Sequence, residues 1–122
     1  GGAILVTNAA GQTVSEMSVT GDGRGQMAVW APGSSTPSAL LTRSVEGTGG
    51  LVQVYNSSVS VASLTAGTGG GGILQLTDAS GDPRVEAGTP TDGVGTVQVG
   101  PAFRCVGSGM GLKIPDCIRG MR

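Results

Sequence analysis

Cys105 and Cys117 are the two cysteines of this 122-residue chain, and they bracket a stretch with Gly107, Gly109, Gly111 and Pro115 that can fold back on itself. A disulfide closing a loop of about a dozen residues contributes roughly 3 kcal/mol by restricting the unfolded chain. That bridge is the expectation here, with a bridge between copies and two buried thiols as the alternatives. The pair lacks the Cys-x-x-Cys spacing of a redox centre. Zinc would need further ligands, and the chain has no His. The same lack removes histidine-dependent nucleophile triads. Neither a metal nor another cofactor is expected.

Three carboxylates, Asp78, Asp82 and Glu86, lie close together in sequence. Glycoside hydrolysis needs two such groups across a substrate. Here they fall in a turn and in a short segment entered through Asp82-Pro83, where acidic residues serve solubility and protect strand edges. Gly21-Asp22-Gly23-Arg24-Gly25 has the look of a calcium-binding turn, but its Asp does not recur at the other glycine-rich corners, so it reads as a β-turn. The stretch from Gly107 to Lys113 fails the phosphate-loop spacing. Asn56-Ser57-Ser58 fits a glycosylation acceptor, which matters only in a eukaryotic secretory host. The chain is therefore read as non-enzymatic.

What would position any of these groups is a repeat. A Gly followed by alternating apolar residues occurs five times: Gly2-Ala-Ile-Leu-Val-Thr7, Gly25-Gln-Met-Ala-Val-Trp30, Gly50-Leu-Val-Gln-Val-Tyr55, Gly72-Ile-Leu-Gln-Leu-Thr77 and Gly95-Thr-Val-Gln-Val-Gly100. The leading glycines are 23, 25, 22 and 23 residues apart. Two and four positions after each Gly stand Ile4, Met27, Val52, Leu74, Val97 and Val6, Val29, Val54, Leu76, Val99, all apolar. Between them come Leu5, Ala28, Gln53, Gln75 and Gln98, the period of two of a half-buried strand. Turn residues follow, as in Asn8-Ala-Ala-Gly11 and Asp78-Ala-Ser-Gly81, and then a less regular second strand at 14–19, 40–45, 59–64 and 84–87. Nothing in positions 1–100 has the 3.6-residue period of an amphipathic helix.

Composition agrees with a thin repeat. Glycine supplies 24 of the 122 residues, and Phe, Trp and Tyr one each, so a large aromatic core is excluded. A net charge of −1 with one Lys and six Arg lacks the basic footprint of a nucleic-acid binder. No apolar run approaches the length of a membrane-spanning helix. The chain opens Gly1-Gly2 without an initiator Met or signal-like segment, which reads as a piece of a longer protein. A two-strand unit of about 23 residues cannot bury its apolar face alone, so stacked units are expected. We expect an all-β chain, a β-helix or β-solenoid, wound with two further copies into an intertwined homotrimer. A monomeric solenoid and a sandwich of hairpins are the other solutions.

The run Gly-x-apolar-x-apolar, Asn-x-x-Gly, apolar-x-apolar, Gly-Asp-Gly resembles the repeats of trimeric β-helical fibres, the shafts of phage tail spikes and of bacterial cell-surface adhesive fibres. The resemblance covers residues 2–100 and implies a thin, protease-resistant rod with recognition at its end. The chain departs from the octapeptide repeats of contractile-tail spikes and from the roughly 15-residue repeat of adenovirus-type triple β-spirals. From Pro101 the repeat is lost and the charge turns to four basic residues against one acidic. The domain reading is a shaft at 1–100 and a cap or tip at 101–122, which would hide Leu112, Ile114 and Ile118.

Trp30 and Tyr55 both stand five positions after a repeat glycine, directed away from the apolar columns. Neighbouring rings there stack on a sugar or pack on a neighbouring chain, or each covers a corner of its own coil. The functional expectation is a structural and adhesive module of an extracellular or virion fibre, binding a surface glycan or protein multivalently. The rivals are a monomeric β-helix that binds or degrades polysaccharide, and a self-assembling filament subunit.

Overall fold

The computed structural model describes residues 1–44, 49–66, 71–89 and 94–100, and the backbone of 103–107. It is all-β, with no helix among the described residues. Ten strands run in chain order: β1 (Ala3–Thr7), β2 (Thr13–Val19), β3 (Gly25–Val29), β4 (Ala39–Arg43), β5 (Gly50–Asn56), β6 (Val59–Ala66), β7 (Gly72–Thr77), β8 (Pro83–Gly88), β9 (Gly95–Val99) and β10 (Phe103–Gly107). Each pairs antiparallel with the next, so spatial order equals sequence order and the chain forms a single meandering sheet. The five glycine-led strands are β1, β3, β5, β7 and β9, and each two-strand repeat is a hairpin.

This corrects the expected β-solenoid coil. Coil-on-coil stacking would set equivalent strands of successive repeats side by side in parallel. Here each strand instead hydrogen-bonds to the one it has just left in the chain, in the opposite direction, and several of the links are turns closed by their own hydrogen bonds. Asn8 and Asp78 build the same turn. Oδ1 of Asn8 accepts from the backbone N–H groups of Ala10 and Gln12, each at 3.0 Å, and Gly11 N donates to Asn8 O at 3.0 Å. Oδ1 of Asp78 accepts from Ser80 N at 2.9 Å and Asp82 N at 3.1 Å, and Gly81 N donates to Asp78 O at 3.0 Å. Gly11 and Gly81 close these turns at φ 77° and 89°, the left-handed region where a side chain is strained. Both turns are preceded by a register shift, at Val6/Thr7 and Leu76/Thr77. Thr20 plays the same part in the β2–β3 link, its hydroxyl accepting from Arg24 N at 3.0 Å. Between β5 and β6 only Ser57 and Ser58 intervene.

The sheet is one layer thick. Ala28, 3% exposed, is the sole buried apolar residue among those described. The accessible surface of the chain is 7969 Å², about a third more than the roughly 6,000 Å² of a compact monomer of this mass. Cohesion within the chain is therefore carried by the strand ladders and cross-strand neighbours. The backbone ladder itself continues through β10, while residues 108–122, on which most of the expected cap falls, lie outside the described ones.

Candidate functional site

Register assigns every strand residue to a face. One row across the sheet runs Ile4, Met17, Met27, Leu41, Val52, Leu64, Leu74, Ala87, Val97, and the next runs Val6, Ser15, Val29, Ala39, Val54, Ala62, Leu76, Val85, Val99. Seventeen of these eighteen are apolar, Ser15 being the exception. The ten positions read from the glycine-led strands all lie here. Sequence reading missed the partners that fill the gaps, Met17, Leu41 and Leu64 above all. Their signal was present as apolar residues two apart, Met17/Val19, Ala39/Leu41 and Ala62/Leu64, in the strands that lack a leading Gly.

The opposite face carries the row Leu5, Glu16, Ala28, Leu40, Gln53, Ser63, Gln75, Glu86, Gln98. Long polar side chains tie neighbouring strands there. Gln26 Nε2 donates to Ser18 Oγ at 3.2 Å, and Gln75 Nε2 donates to Glu86 Oε2 at 3.2 Å. Burial is inverted relative to a globular protein. Along β5 the half-buried residues are Leu51, Gln53 and Tyr55, whereas Val52 and Val54 stand 40% and 45% exposed. Ile4, at the sheet margin, is 66% exposed. The apolar face is a long strip with nothing of its own chain above it among the described residues.

Trp30 and Tyr55 lie on the polar side of this alternation, at the sheet end that carries the loop 31–38. The fold sets them on strand lines separated by β4, and they line separate shallow recesses, Trp30 with Gln12, Glu16 and Gly33, and Tyr55 with Pro37, Ser38 and Ser58. Tyr55 Oη donates to Gln53 Oε1 at 2.8 Å, so its hydroxyl is already engaged within the face. The two recesses adjoin at Ser34, which lines both. Cys105 lies on β10, of which only the backbone is described, opposite Val97, and Cys117 lies outside the described residues.

The carboxylates singled out in the sequence are held in local pairs. Oδ2 of Asp78 accepts from Arg84 Nε at 2.8 Å and Nη2 at 2.5 Å, while its other oxygen caps the turn. Asp82 stands 3.9 Å from the same guanidinium, and Glu86 accepts from Gln75. In the β2–β3 turn, Asp22 accepts from the Thr20 hydroxyl and from Arg24 Nε, the latter at 2.6 Å. No group of three or more metal-ligating side chains comes together among the described residues.

The hydrogen bonds from Arg84 first, and then those from the backbone of Asp82 and Ser80, hold the Asp78 carboxyl below its ordinary value of 3.8. Because the folded-state value is depressed, the linked stabilisation is present above the unfolded carboxylate range and is lost as pH falls through the folded value. Asp78→Asn keeps the backbone-accepting oxygen, as Asn8 does in its own turn, and loses the ion pair. The wild-type advantage in melting midpoint over this variant is expected at pH 7 and should shrink as pH falls through the depressed folded value of Asp78. Thermal melts of both proteins between pH 2 and pH 7 check it; an advantage that does not diminish at all across this range contradicts the assignment.

No protein-family model and no curated protein sequence matches the chain.

Proposed function

We propose that the chain is a non-enzymatic structural and adhesive module of an extracellular or virion fibre, and that it works as a homotrimer with the three apolar strips turned toward a common axis. The observation that carries this reading is the strip itself. A monomer seldom exposes a contiguous apolar patch larger than about 300–600 Å². Thirteen large side chains on this face, each 38–66% exposed, present on the order of 1,000 Å², against about 800 Å² per partner in a standard interface. Lipid is a poor occupant, since strands of five to eight residues fall short of the roughly nine to eleven needed to cross a bilayer.

On this reading the hairpins at 1–100, with β10 continuing their ladder, form the shaft, and the rest of 101–122 forms a tip tied back to β10 through Cys105 and Cys117. The polar faces, with Trp30 and Tyr55, look outward. A glycan or protein on a surface would meet three equivalent sites at once, so that individually weak contacts add through avidity. The sheets stand as flat walls in place of the wound coils expected from the repeat.

The test is the mass in solution by light scattering, with and without reductant. The expected result is three times the 11.9 kDa of the chain. A compact particle of one chain mass overturns the trimer.

A further inference from the structure

Trp30 and Tyr55 are two of the three aromatic residues in the chain, and the register sets them on one line. Val29, Ala39 and Val54 share a row, so Trp30, Ser38 and Tyr55 share the next level, at the ends of β3, β4 and β5. Backbone bonds carry the sheet that far, Trp30 N donating to Val14 O at 3.0 Å and Tyr55 N to Ser38 O at 2.9 Å. The two strand lines lie about 9.6 Å apart, with Ser38 between them. The loop 31–38 beside this level is held in shape. Ala31-Pro32-Gly33-Ser34 has Pro and Gly at the central positions of a type II turn, with Gly33 at φ 76° and Ser34 N donating to Ala31 O at 3.0 Å. The Ser34 hydroxyl then donates to Thr36 O at 2.8 Å, so a small, internally bonded side chain stands where the two recesses meet.

We propose that the joined recesses bind a short neutral oligosaccharide, one sugar ring lying against Trp30 and another against Tyr55. The inference rests on the outward-facing polar sheet of the reading above, and it chooses a glycan over a protein as what is met there. Beside Trp30, Gln12 Oε1 accepts from Asn8 Nδ2 at 2.9 Å and Glu16 Oε1 from Gln26 Nε2 at 3.4 Å. That leaves Gln12 Nε2 as a donor and Glu16 Oε2 as an acceptor without a protein partner among the described residues. An aromatic ring flanked by such a pair suits a pyranose, whose C–H face packs on the ring while neighbouring hydroxyls give and take hydrogen bonds. Tyr55 has its own hydroxyl engaged with Gln53 and so offers its ring, with the hydroxyls of Ser38 and Ser58 alongside. The spacing of the two strand lines fixes the size, since a single pyranose does not span both rings. Charge fixes the class. Glu16 is the one charged residue lining either recess, so the carboxylate of an acidic sugar would meet another carboxylate with no Lys or Arg to pair it.

Trp30 is the only tryptophan of the chain, so its emission reports on the site directly. The full chain is titrated with cellotriose, chitotriose and trigalacturonate, and with glucose and N-acetylglucosamine as the single-ring counterparts. The expected result is a saturable change in Trp30 emission at millimolar concentration with at least one of the two neutral trisaccharides, and none with trigalacturonate. Tyr55→Ala is expected to weaken that trisaccharide severalfold and to leave its single-ring counterpart unchanged, a split that a general loss of structure would not produce. Trp30→Ala, followed by calorimetry, abolishes binding of both. Failure of both neutral trisaccharides to give a saturable change overturns the inference, as does tighter binding of trigalacturonate. Equal weakening of the trisaccharide and the single sugar by Tyr55→Ala overturns the bridging of the two rings. Emission that shifts when the protein is diluted and ignores every sugar places a neighbouring chain in the recess and also overturns it. Light scattering on the same samples separates the two readings. A trimer that binds no sugar overturns this inference alone, whereas a single chain that binds the trisaccharide upholds the site and overturns the trimer.

Discussion

Val52→Asp is expected to abolish assembly of the proposed trimer. Val52 sits mid-sheet between Leu41 and Leu64, in the row that would face the axis, and it is 40% exposed in the single chain. An assembly would take it from partly wet to dry, and Asp at that place would bring three carboxylates toward one another in an apolar interior. Leaving a charge buried and unpaired costs on the order of 3–5 kcal/mol for each chain, besides the loss of the valine's own burial. The sum over three chains exceeds what an interface of this size retains. Ser63→Asp introduces the same carboxylate on the other face of the adjoining strand β6, in the row with Gln53 and Gln75. It should alter stability by no more than about 0.5 kcal/mol. Light scattering and thermal melts of the two variants, side by side, check the pair. Equal effects of the two would mean that the apolar strip faces water in the working molecule.

Folding and association of this chain should be one event. A sheet one layer thick with Ala28 as the only buried apolar residue among those described has too little interior to offset the conformational entropy of ordering its backbone. Dissociated chains are therefore expected to lose their strand structure. For a trimer that melts directly to unfolded chains, mass action makes each tenfold dilution cost about 2.7 kcal/mol per trimer. With the usual entropy per residue, that lowers the midpoint by about 3–4 °C per tenfold dilution. Circular dichroism melts over a hundredfold range of concentration would reveal the dependence. A midpoint independent of concentration contradicts it.

The strands were legible because alternation is a local property. Gly50-Leu-Val-Gln-Val-Tyr55 writes its two faces into consecutive residues, and the register then aligns Val52 with Leu41 and Leu64 as that pattern requires. The hairpin turns were also legible, since Asn8 and Gly11, like Asp78 and Gly81, are the residue types such turns demand. The arrangement of repeats was not. A spacing of about 23 residues is the same whether successive units coil in parallel or zigzag antiparallel. What decides is how each turn is closed: the Asn8 and Asp78 turns hydrogen-bond back across themselves and lay the next strand against the one before it. β10 went unread because Phe103-Arg-Cys-Val-Gly107 lacks the Gly-x-apolar signature, yet its backbone pairs along β9 in the same way. Asp78 illustrates the reverse hazard. Its proximity to Asp82 and Glu86 invites a catalytic reading, whereas the geometry commits one oxygen to two backbone donors and the other to Arg84.

Because every strand pairs only with those next to it in the chain, the meander has no long-range threading to preserve. Inserting or deleting one hairpin moves the remainder of the sheet along as a body and leaves every other pairing intact. Length thus becomes a heritable quantity that changes in steps. Each 23-residue unit adds two strands, about 9.6 Å of reach, and a duplicated gene segment would lengthen the structure without redesigning it. Local pairing also keeps the contacts close in sequence, so hairpins can form one after another as the chain emerges.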